Sequence, residues 1–288
     1  MTGASEPVGS SSSLCAVVLA AGDGVRLRPL TADTPKALCP VGNVPLLDRA
    51  LATVAALGYT GHQMVAVNAW SHASQIVAHV GGRAHVSVEH GPRPLGSAGG
   101  LGALRPWIAG RHVLVANADA YLYGGDLAAL LDGWDGRHVR LLGVPAGDRT
   151  PEFGAYRFAG VSLLPGHFVE ALAAEPADLV RAVWRPAEAA GALTVVDYGG
   201  TYLDSGTPRD YLAANLDAAS HAPGGSIVDP DARVTGQAKN SVVGAGATVA
   251  GSIERTVIWP GSVVGPDERL SDVIRYGANG TVDARAAR

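Results

Sequence analysis

From Leu14 to about Ser220, short apolar runs alternate with segments in which apolar residues return every three or four positions. That alternation is the pattern of a mostly parallel β-sheet covered by helices, an α/β domain. The runs Cys15–Leu19, Met64–Val67, His85–Val88, His112–Ala116 and Val139–Val144, bounded by Gly, Asn, Asp or Pro, predict strands. Between them, Leu46–Leu57 places Leu46, Leu47, Ala50, Leu51, Val54 and Leu57 on one helical face and stops at Gly58, a favoured C-cap. Ser74–Val80, Ala98–Trp107 and Leu127–Leu131 predict helices from fewer apolar positions.

After Pro223 the helical spacing disappears. Apolar residues recur about every six positions, as in Val243-Gly-Ala-Gly-Ala-Thr, Val249-Ala-Gly-Ser-Ile-Glu, Val257-Ile-Trp-Pro-Gly-Ser and Val263-Val-Gly-Pro. A hexapeptide period predicts a short parallel β-helix. A pair of glycine-rich hairpins is the other arrangement that this composition permits. A stub of few coils exposes an apolar end and flank, so it is expected to pack on the first domain or on another copy, which would make the protein a homo-oligomer. The expected organisation is a disordered tail over 1–13, an α/β domain over 14–222 and the repeat region over 223–288.

Composition narrows the function classes. With 47% hydrophobic and 17% charged residues, the 288-residue chain is neither disordered nor fibrous by composition. A net charge of −4 without a dense basic run argues against nucleic acid as the partner. The chain has no run of 18 or more apolar residues, so no membrane association is expected. Met1–Ser13 lacks the basic start of a secretory signal. Cys15 and Cys39, outside any C-x-x-C arrangement, suit neither a disulfide framework nor a zinc site, and a cytoplasmic setting is expected. The nine histidines show no ligand spacing.

Directly after the first predicted strand comes Leu19-Ala-Ala-Gly-Asp-Gly-Val-Arg-Leu-Arg-Pro-Leu-Thr31, then Thr34-Pro-Lys-Ala-Leu-Cys-Pro-Val41. A glycine-rich turn at a strand end exposes backbone N–H groups to which a phosphate can come close. The third glycine of a dinucleotide fingerprint and the Gly-Lys-Ser/Thr of a P-loop are both missing, which counts against dehydrogenases and P-loop ATPases. Instead Arg26 and Lys36 follow, two cations suited to a polyphosphate. Val113-Leu-Val-Ala-Asn-Ala-Asp119 reads as a buried strand ending in a carboxylate, and Asp204 closes a second apolar stretch before Ser-Gly-Thr-Pro. Taken singly, either carboxylate also serves as a turn cap. Taken together, they suit Mg²⁺ bound with phosphates.

Leu19–Val41, with Pro45-Leu-Leu-Asp48 after it, resembles the signature of the sugar-1-phosphate nucleotidyltransferases. Val67-Asn68, Gln75-Ile76 and Pro94-Leu-Gly-Ser-Ala-Gly-Gly100 resemble the segments that precede and form the base pocket in the mannose-1-phosphate guanylyltransferase branch. Tyr202-Leu-Asp-Ser-Gly-Thr-Pro resembles the family's closing Trp-Leu-Asp-x-Gly-Thr-Pro motif. The resemblance implies a Rossmann-like domain followed by a short left-handed β-helix. It also implies transfer of a nucleotidyl group from a nucleoside triphosphate to a sugar-1-phosphate.

In that scheme Arg26 steadies the β- and γ-phosphates, Lys36 contacts phosphate between nucleotide and sugar, and Asp119 and Asp204 hold Mg²⁺. Leu19, Ala20, Ala21, Gly22, Asp23, Gly24 and Val25 form the nucleotide loop, and Gly91, Gly96 and Ser97 are candidates for the base pocket. Gly154 and Gly160 are candidates for the sugar pocket. GTP with a mannose-1-phosphate-like partner is the first expectation, and another triphosphate with an unusual sugar or cyclitol phosphate is the alternative.

Two departures matter. Val25 stands where the family has Thr, and Gly154-Ala-Tyr-Arg-Phe-Ala-Gly-Val161 runs without the hairpin that carries the family's Glu-Lys-Pro. Arg157 is the candidate replacement for the missing lysine. The same loss keeps open a non-catalytic, nucleotide-sugar-binding regulatory homologue.

Overall fold

β1 (Leu14–Leu19) is buried along almost its whole length, as an all-apolar strand at the centre of a covered parallel sheet must be. The computed structural model describes residues 14–285, and the tail expected over 1–13 lies outside the described residues. Beside β1 stand β2 (Val65–Ala69), β3 (His85–Val88), β4 (His112–Asn117), β5 (Val139–Pro145), β6 (Tyr156–Leu164) and β7 (Leu193–Asp197). They form one seven-stranded sheet in the order β7-β5-β6-β4-β1-β2-β3. All pairings are parallel except those of β6, which runs antiparallel to both β4 and β5.

The strand order reverses at β1, with β2 on one side and β4 on the other. The carboxyl ends of β1 and β4 therefore flank a topological switch point, where open α/β sheets bind ligands. Three helices follow the predicted positions, α1 (Leu46–Ala56), α2 (Ala73–Val80) and α3 (Gly96–Ile108). The helix predicted over Leu127–Leu131 is only a 3₁₀ turn, Ala128–Leu130. Asp126 Oδ1 accepts the Ala128 N–H at its start, and Gly124, Gly125 and Gly133 bracket a run too short to nucleate an α-helix.

The chain divides into two compact units, one comprising Arg49–Tyr202 with the chain up to Asp23, the other Gly24–Asp48 with the chain from Leu203 onward. The core of the first unit is built by Val17, Ala66, Val113, Val115 and Leu141 of the sheet with Leu101, Leu104 and Ile108 of α3. α3 can approach closely because glycine faces its neighbour. A Cβ on Gly99 or Gly102 would stand 2.1 Å from the Glu175 or Ala173 carbonyl oxygen.

In the second unit the region after Pro223 forms three sheets that stack successive coils in parallel, one of them closed by the antiparallel strand Gly280–Asp283. Ile227 pairs with Val242 and Val242 with Val257, steps of 15 residues, and Val257 pairs with Ile274, a step of 17, rather than three hexapeptides each. Only some sides of the coil keep the six-residue step, and the others are shortened. Val243, Ala247, Val249, Ile253, Ile258 and Val264 fill its interior. Asn240, Arg255 and Asp272 adopt positive φ at a recurring corner.

Both thiols are free and buried. Burial pushes Cys15 up to about 11 and Cys39 up to about 12, so both stay protonated near neutral pH and neither is a ready nucleophile.

Candidate active site

In the first unit the chain leaves β1 at Leu19 and runs through Ala20 and Ala21, both buried, to the exposed Gly22 and Asp23. The Leu19 carbonyl accepts the Ala118 N–H at 3.0 Å, which ties the start of the loop to the turn after β4. Asp119 sits in that turn, two residues beyond the end of β4 at Asn117, not on the strand itself. The glycine-rich loop and Asp119 are thus brought together at the switch point.

The base-pocket candidates follow β3. Trp70 Nε1 donates to the Gly91 carbonyl at 3.1 Å, and Gly91 has φ +136°. Gly96 opens α3 with φ +73°, and a Cβ there would meet the Ala177 carbonyl oxygen at 2.6 Å. The Ser97 hydroxyl oxygen accepts the Leu179 N–H at 2.9 Å, so Ser97 also fastens a neighbouring segment. Sequence reasoning did not single out Glu89, buried just before this loop, although it falls at the carboxyl end of a predicted strand.

In the second unit Gly24 has φ +63°, and its carbonyl accepts the Thr31 hydroxyl at 2.8 Å. A Cβ on Gly24 would touch Thr31 at 3.0 Å and the Lys36 Cβ at 3.2 Å. Val25 and Arg26 lie exposed in the 3₁₀ turn Val25–Leu27 that follows. Lys36 begins a second turn, Lys36–Leu38. Asp204 ends the strand Thr201–Asp204, and Thr207 caps the next helix, Pro208–Ser220, by accepting the Asp210 N–H.

These segments converge on one carboxylate. Arg26 Nη2 lies 4.0 Å from Asp204 Oδ2 and Lys36 Nζ lies 3.8 Å from Asp204 Oδ1. The residue that leaves room for them is Gly206, where a Cβ would meet Arg26 Nη2 at 2.8 Å and both Asp204 oxygens at 3.0–3.1 Å. Its place within Asp-Ser-Gly-Thr-Pro was the signal for it. Two cations aimed at one partly exposed carboxylate can meet phosphate oxygens, and the carboxylate can face a hard cation. Among the described residues no three His, Cys, Asp or Glu side chains group as a cation cage. The Asp204 carboxylate is the kind of donor that suits Mg²⁺, which rests on one or two carboxylates and takes its other oxygens from phosphate and water.

Among the candidates for the sugar pocket, Arg157 lies on β6 with Nε 3.7 Å from Glu152 Oε1, while Glu152 Oε2 accepts the Phe158 N–H. The two glycines of this region differ. Gly160 has φ +81° and a Cβ there would stand 2.4 Å from the Ala120 Cβ, whereas Gly154, at φ +59°, has open space around it. Gly160→Ala is expected to cost more than about 2 kcal/mol, strain and clash together, and Gly154→Ala about 1 kcal/mol, both read by thermal unfolding. Loss of sugar-phosphate affinity in Gly154→Ala beyond that small cost would mark it as a pocket residue. Unchanged affinity would make it a turn glycine.

A family model described as nucleotidyl transferase matches residues 15–161. The chain is similar to an N-acetylmuramate alpha-1-phosphate uridylyltransferase of Neisseria meningitidis, 38% identical over 109 residues that cover 36% of this chain and 46% of that one. It is also similar to a mannose-1-phosphate guanylyltransferase of Mycobacterium tuberculosis, 35% identical over 124 residues, 41% of this chain and 33% of that one. The chain thus spans less than half of the length of either relative. A crystal structure of a putative glucose-1-phosphate thymidylyltransferase from Bacillus anthracis superposes with a TM-score of 0.62 at 18% identity, covering 73% of this chain and 97% of that one. That likeness concerns the fold.

Proposed function

We propose, for a chain that belongs to the nucleotidyl transferase family, that it transfers the nucleotidyl group of a nucleoside triphosphate to a sugar-1-phosphate, releasing pyrophosphate. The observation that carries this reading is Asp204 held between Arg26 and Lys36 on segments far apart in the sequence. In the reaction an oxygen of the sugar phosphate attacks the α-phosphorus, a new P–O bond forms, and the bond to the β-phosphate breaks. A phosphate monoester with a second pKa of about 6 is largely dianionic at neutral pH, so the nucleophile needs no general base. The protein's task is placement and charge stabilisation.

Arg26 would hold the departing pyrophosphate, and Lys36 the phosphate between nucleotide and sugar. Asp119 and Asp204 are each a candidate ligand for Mg²⁺, which when bound would neutralise phosphate charge. Gly91, Gly96 and Ser97 would face the base, and Gly154, Arg157 and Gly160 the sugar phosphate. The same reading takes the protein as a cytoplasmic homo-oligomer.

For specificity we favour GTP with a mannose-1-phosphate-like substrate, supported by the similarity to the Mycobacterium tuberculosis protein over its matched part. A second reading, UTP with an amino-sugar acid phosphate, draws on the similarity to the Neisseria meningitidis protein. The test is pyrophosphate release with Mg²⁺ across five triphosphates and a panel of sugar-1-phosphates. Release with one pair identifies base and sugar. Silence across the panel with thermal stabilisation by one triphosphate would point to a sugar phosphate outside the panel or to a regulatory nucleotide-binding protein, and silence without stabilisation would count against the nucleotide site.

A further inference from the structure

Three short hydrogen bonds cross the interior of the first unit. The Ala20 N–H donates to Asn68 Oδ1 at 2.7 Å, Asn68 Nδ2 donates to Glu89 Oε1 at 2.7 Å, and the Leu95 N–H donates to Glu89 Oε2 at 2.7 Å. Asn68 is 2% exposed and Glu89 6%. α3 closes over them at Gly100, where a Cβ would stand 2.6 Å from Asn68 Nδ2 and 3.1 Å from Glu89 Oε1. The relay begins in the glycine-rich loop and ends at the residue before Gly96 and Ser97.

Its polarity is fixed. A backbone N–H at each end can only donate, so Asn68 must turn its oxygen to Ala20 and its amide to Glu89, and Glu89 must accept twice. We propose that Asn68 and Glu89 are positioning residues that set the phosphate loop and the base loop against each other, so that triphosphate affinity depends on the direction of this relay. The proposal rests on the nucleotidyl-transfer reading above and assigns these two residues within it.

Direction makes the proposal testable by inversion. In Glu89→Gln, the glutamine has one acceptor for two donors, and one buried pair must face donor to donor. In Asn68→Asp, two carboxyl groups face each other. In the double variant Asn68→Asp/Glu89→Gln every group is met again. The carboxylate introduced at position 68 accepts from the Ala20 N–H and from the amide introduced at position 89, and the oxygen of that amide accepts from the Leu95 N–H.

The experiment is calorimetric titration of the full-length chain with GTP, UTP, dTTP, ATP and CTP, continued with whichever the wild type binds, together with KM for each substrate and unliganded thermal unfolding. Each single variant is expected to bind that triphosphate about tenfold more weakly, the cost of one unmet buried group, with KM for the sugar phosphate unchanged within about twofold. The double variant is expected to return to within about threefold of wild type.

Single variants that bind as wild type would overturn the proposal. A folded double variant that stays weak would also overturn it, as would a parallel shift of both KM values that follows stability alone. A wild type that binds no triphosphate would remove the nucleotide reading itself and the proposal with it, an outcome distinct from intact binding that ignores Glu89.

Discussion

Asp204→Ala is expected to lower turnover by about 10²- to 10³-fold, the usual effect of removing one preorganised electrostatic group from a reacting centre. The same change is expected to leave the fold nearly as stable. Its ion pairs to Lys36 and Arg26 are long, 3.8 and 4.0 Å, and the Asp204 and Arg26 side chains are 37% and 69% exposed, so solvent screens the Arg26 pair, whereas the Lys36 side chain is 10% exposed and its pair is screened less. The exposed Arg26 pair contributes about 0–1 kcal/mol and the more buried Lys36 pair adds to it, for a total of a few degrees of unfolding temperature.

The functional loss has a different origin. Without the carboxylate, the Arg26 and Lys36 charges are no longer held on one point, and in the proposed reading a hard cation would lose an oxygen. Asp204→Asn separates charge from shape, because it keeps the volume beside Gly206 and removes the negative charge. Steady-state pyrophosphate release read beside calorimetric unfolding checks both halves. Wild-type turnover in Asp204→Ala would remove Asp204 from the site.

The second large effect is expected at Tyr211, outside any catalytic motif. The segment that carries Lys36 is fastened to the helix Pro208–Ser220 and to the coil stack. The Tyr211 hydroxyl donates to the Pro40 carbonyl, the Gly42 N–H donates to Asn215 Oδ1 at 2.9 Å, and Asn43 Nδ2 donates to the Val243 carbonyl at 2.8 Å. Trp259 Nε1 in turn donates to the Tyr211 hydroxyl at 3.1 Å. Tyr211 is fully buried, so Tyr211→Ala is expected to cost about 3–5 kcal/mol.

Tyr211→Phe keeps the ring and leaves the Pro40 carbonyl and the Trp259 N–H unmet, for about 1–3 kcal/mol. Both variants are expected to lose turnover below their unfolding temperature, because the segment that carries Lys36 loses one of its three anchors. Burial raises the Tyr211 phenol well above its ordinary value of 10.0. Its contribution to stability is therefore complete below pH 10 and falls as pH rises toward the folded-state value. Thermal unfolding and kcat of both variants check this, and an unfolding temperature unchanged in Tyr211→Ala would contradict it.

Much of the sheet was legible because its strands are apolar runs with polar ends. His85–Val88 was located at both ends, and β1 and β4 came within a residue at each end. β6 was not anticipated as a strand, since Gly154 and Gly160 mark its region as turn. The positive φ of Gly160 is instead accommodated within the strand, opposite Ala120.

The repeat was legible as repetition but not as a coil of 15 or 17 residues, because shortened corners keep the apolar phase only on some sides. Composition changes at Pro223, whereas the compact units meet along the chain at Asp23, Asp48 and Tyr202. Contacts between distant segments decide such boundaries, and no local pattern records them.

The candidate site was legible where chemistry requires a residue type. Arg26, Lys36 and Asp204 stood in one motif-bearing set, and the second unit brings them together. Gly206 makes room for that cluster through the lack of a side chain, which only three dimensions reveal. Asn68 stood out only as part of the Val67-Asn68 segment, and its pairing with Glu89 was hidden for another reason. A hydrogen-bond direction leaves no trace in hydrophobic periodicity, and its only sign was a polar residue at the end of each of two predicted strands.

The most direct measurement follows the fate of labelled phosphorus. The preferred triphosphate, labelled with ³²P at either the α or the γ position, is incubated with the protein, Mg²⁺ and the sugar-1-phosphate, and the products are separated. Nucleotidyl transfer predicts α-label in the nucleotide-sugar and γ-label in pyrophosphate. Transfer of γ-label to the sugar phosphate, or α-label that remains in a free nucleotide, would contradict it.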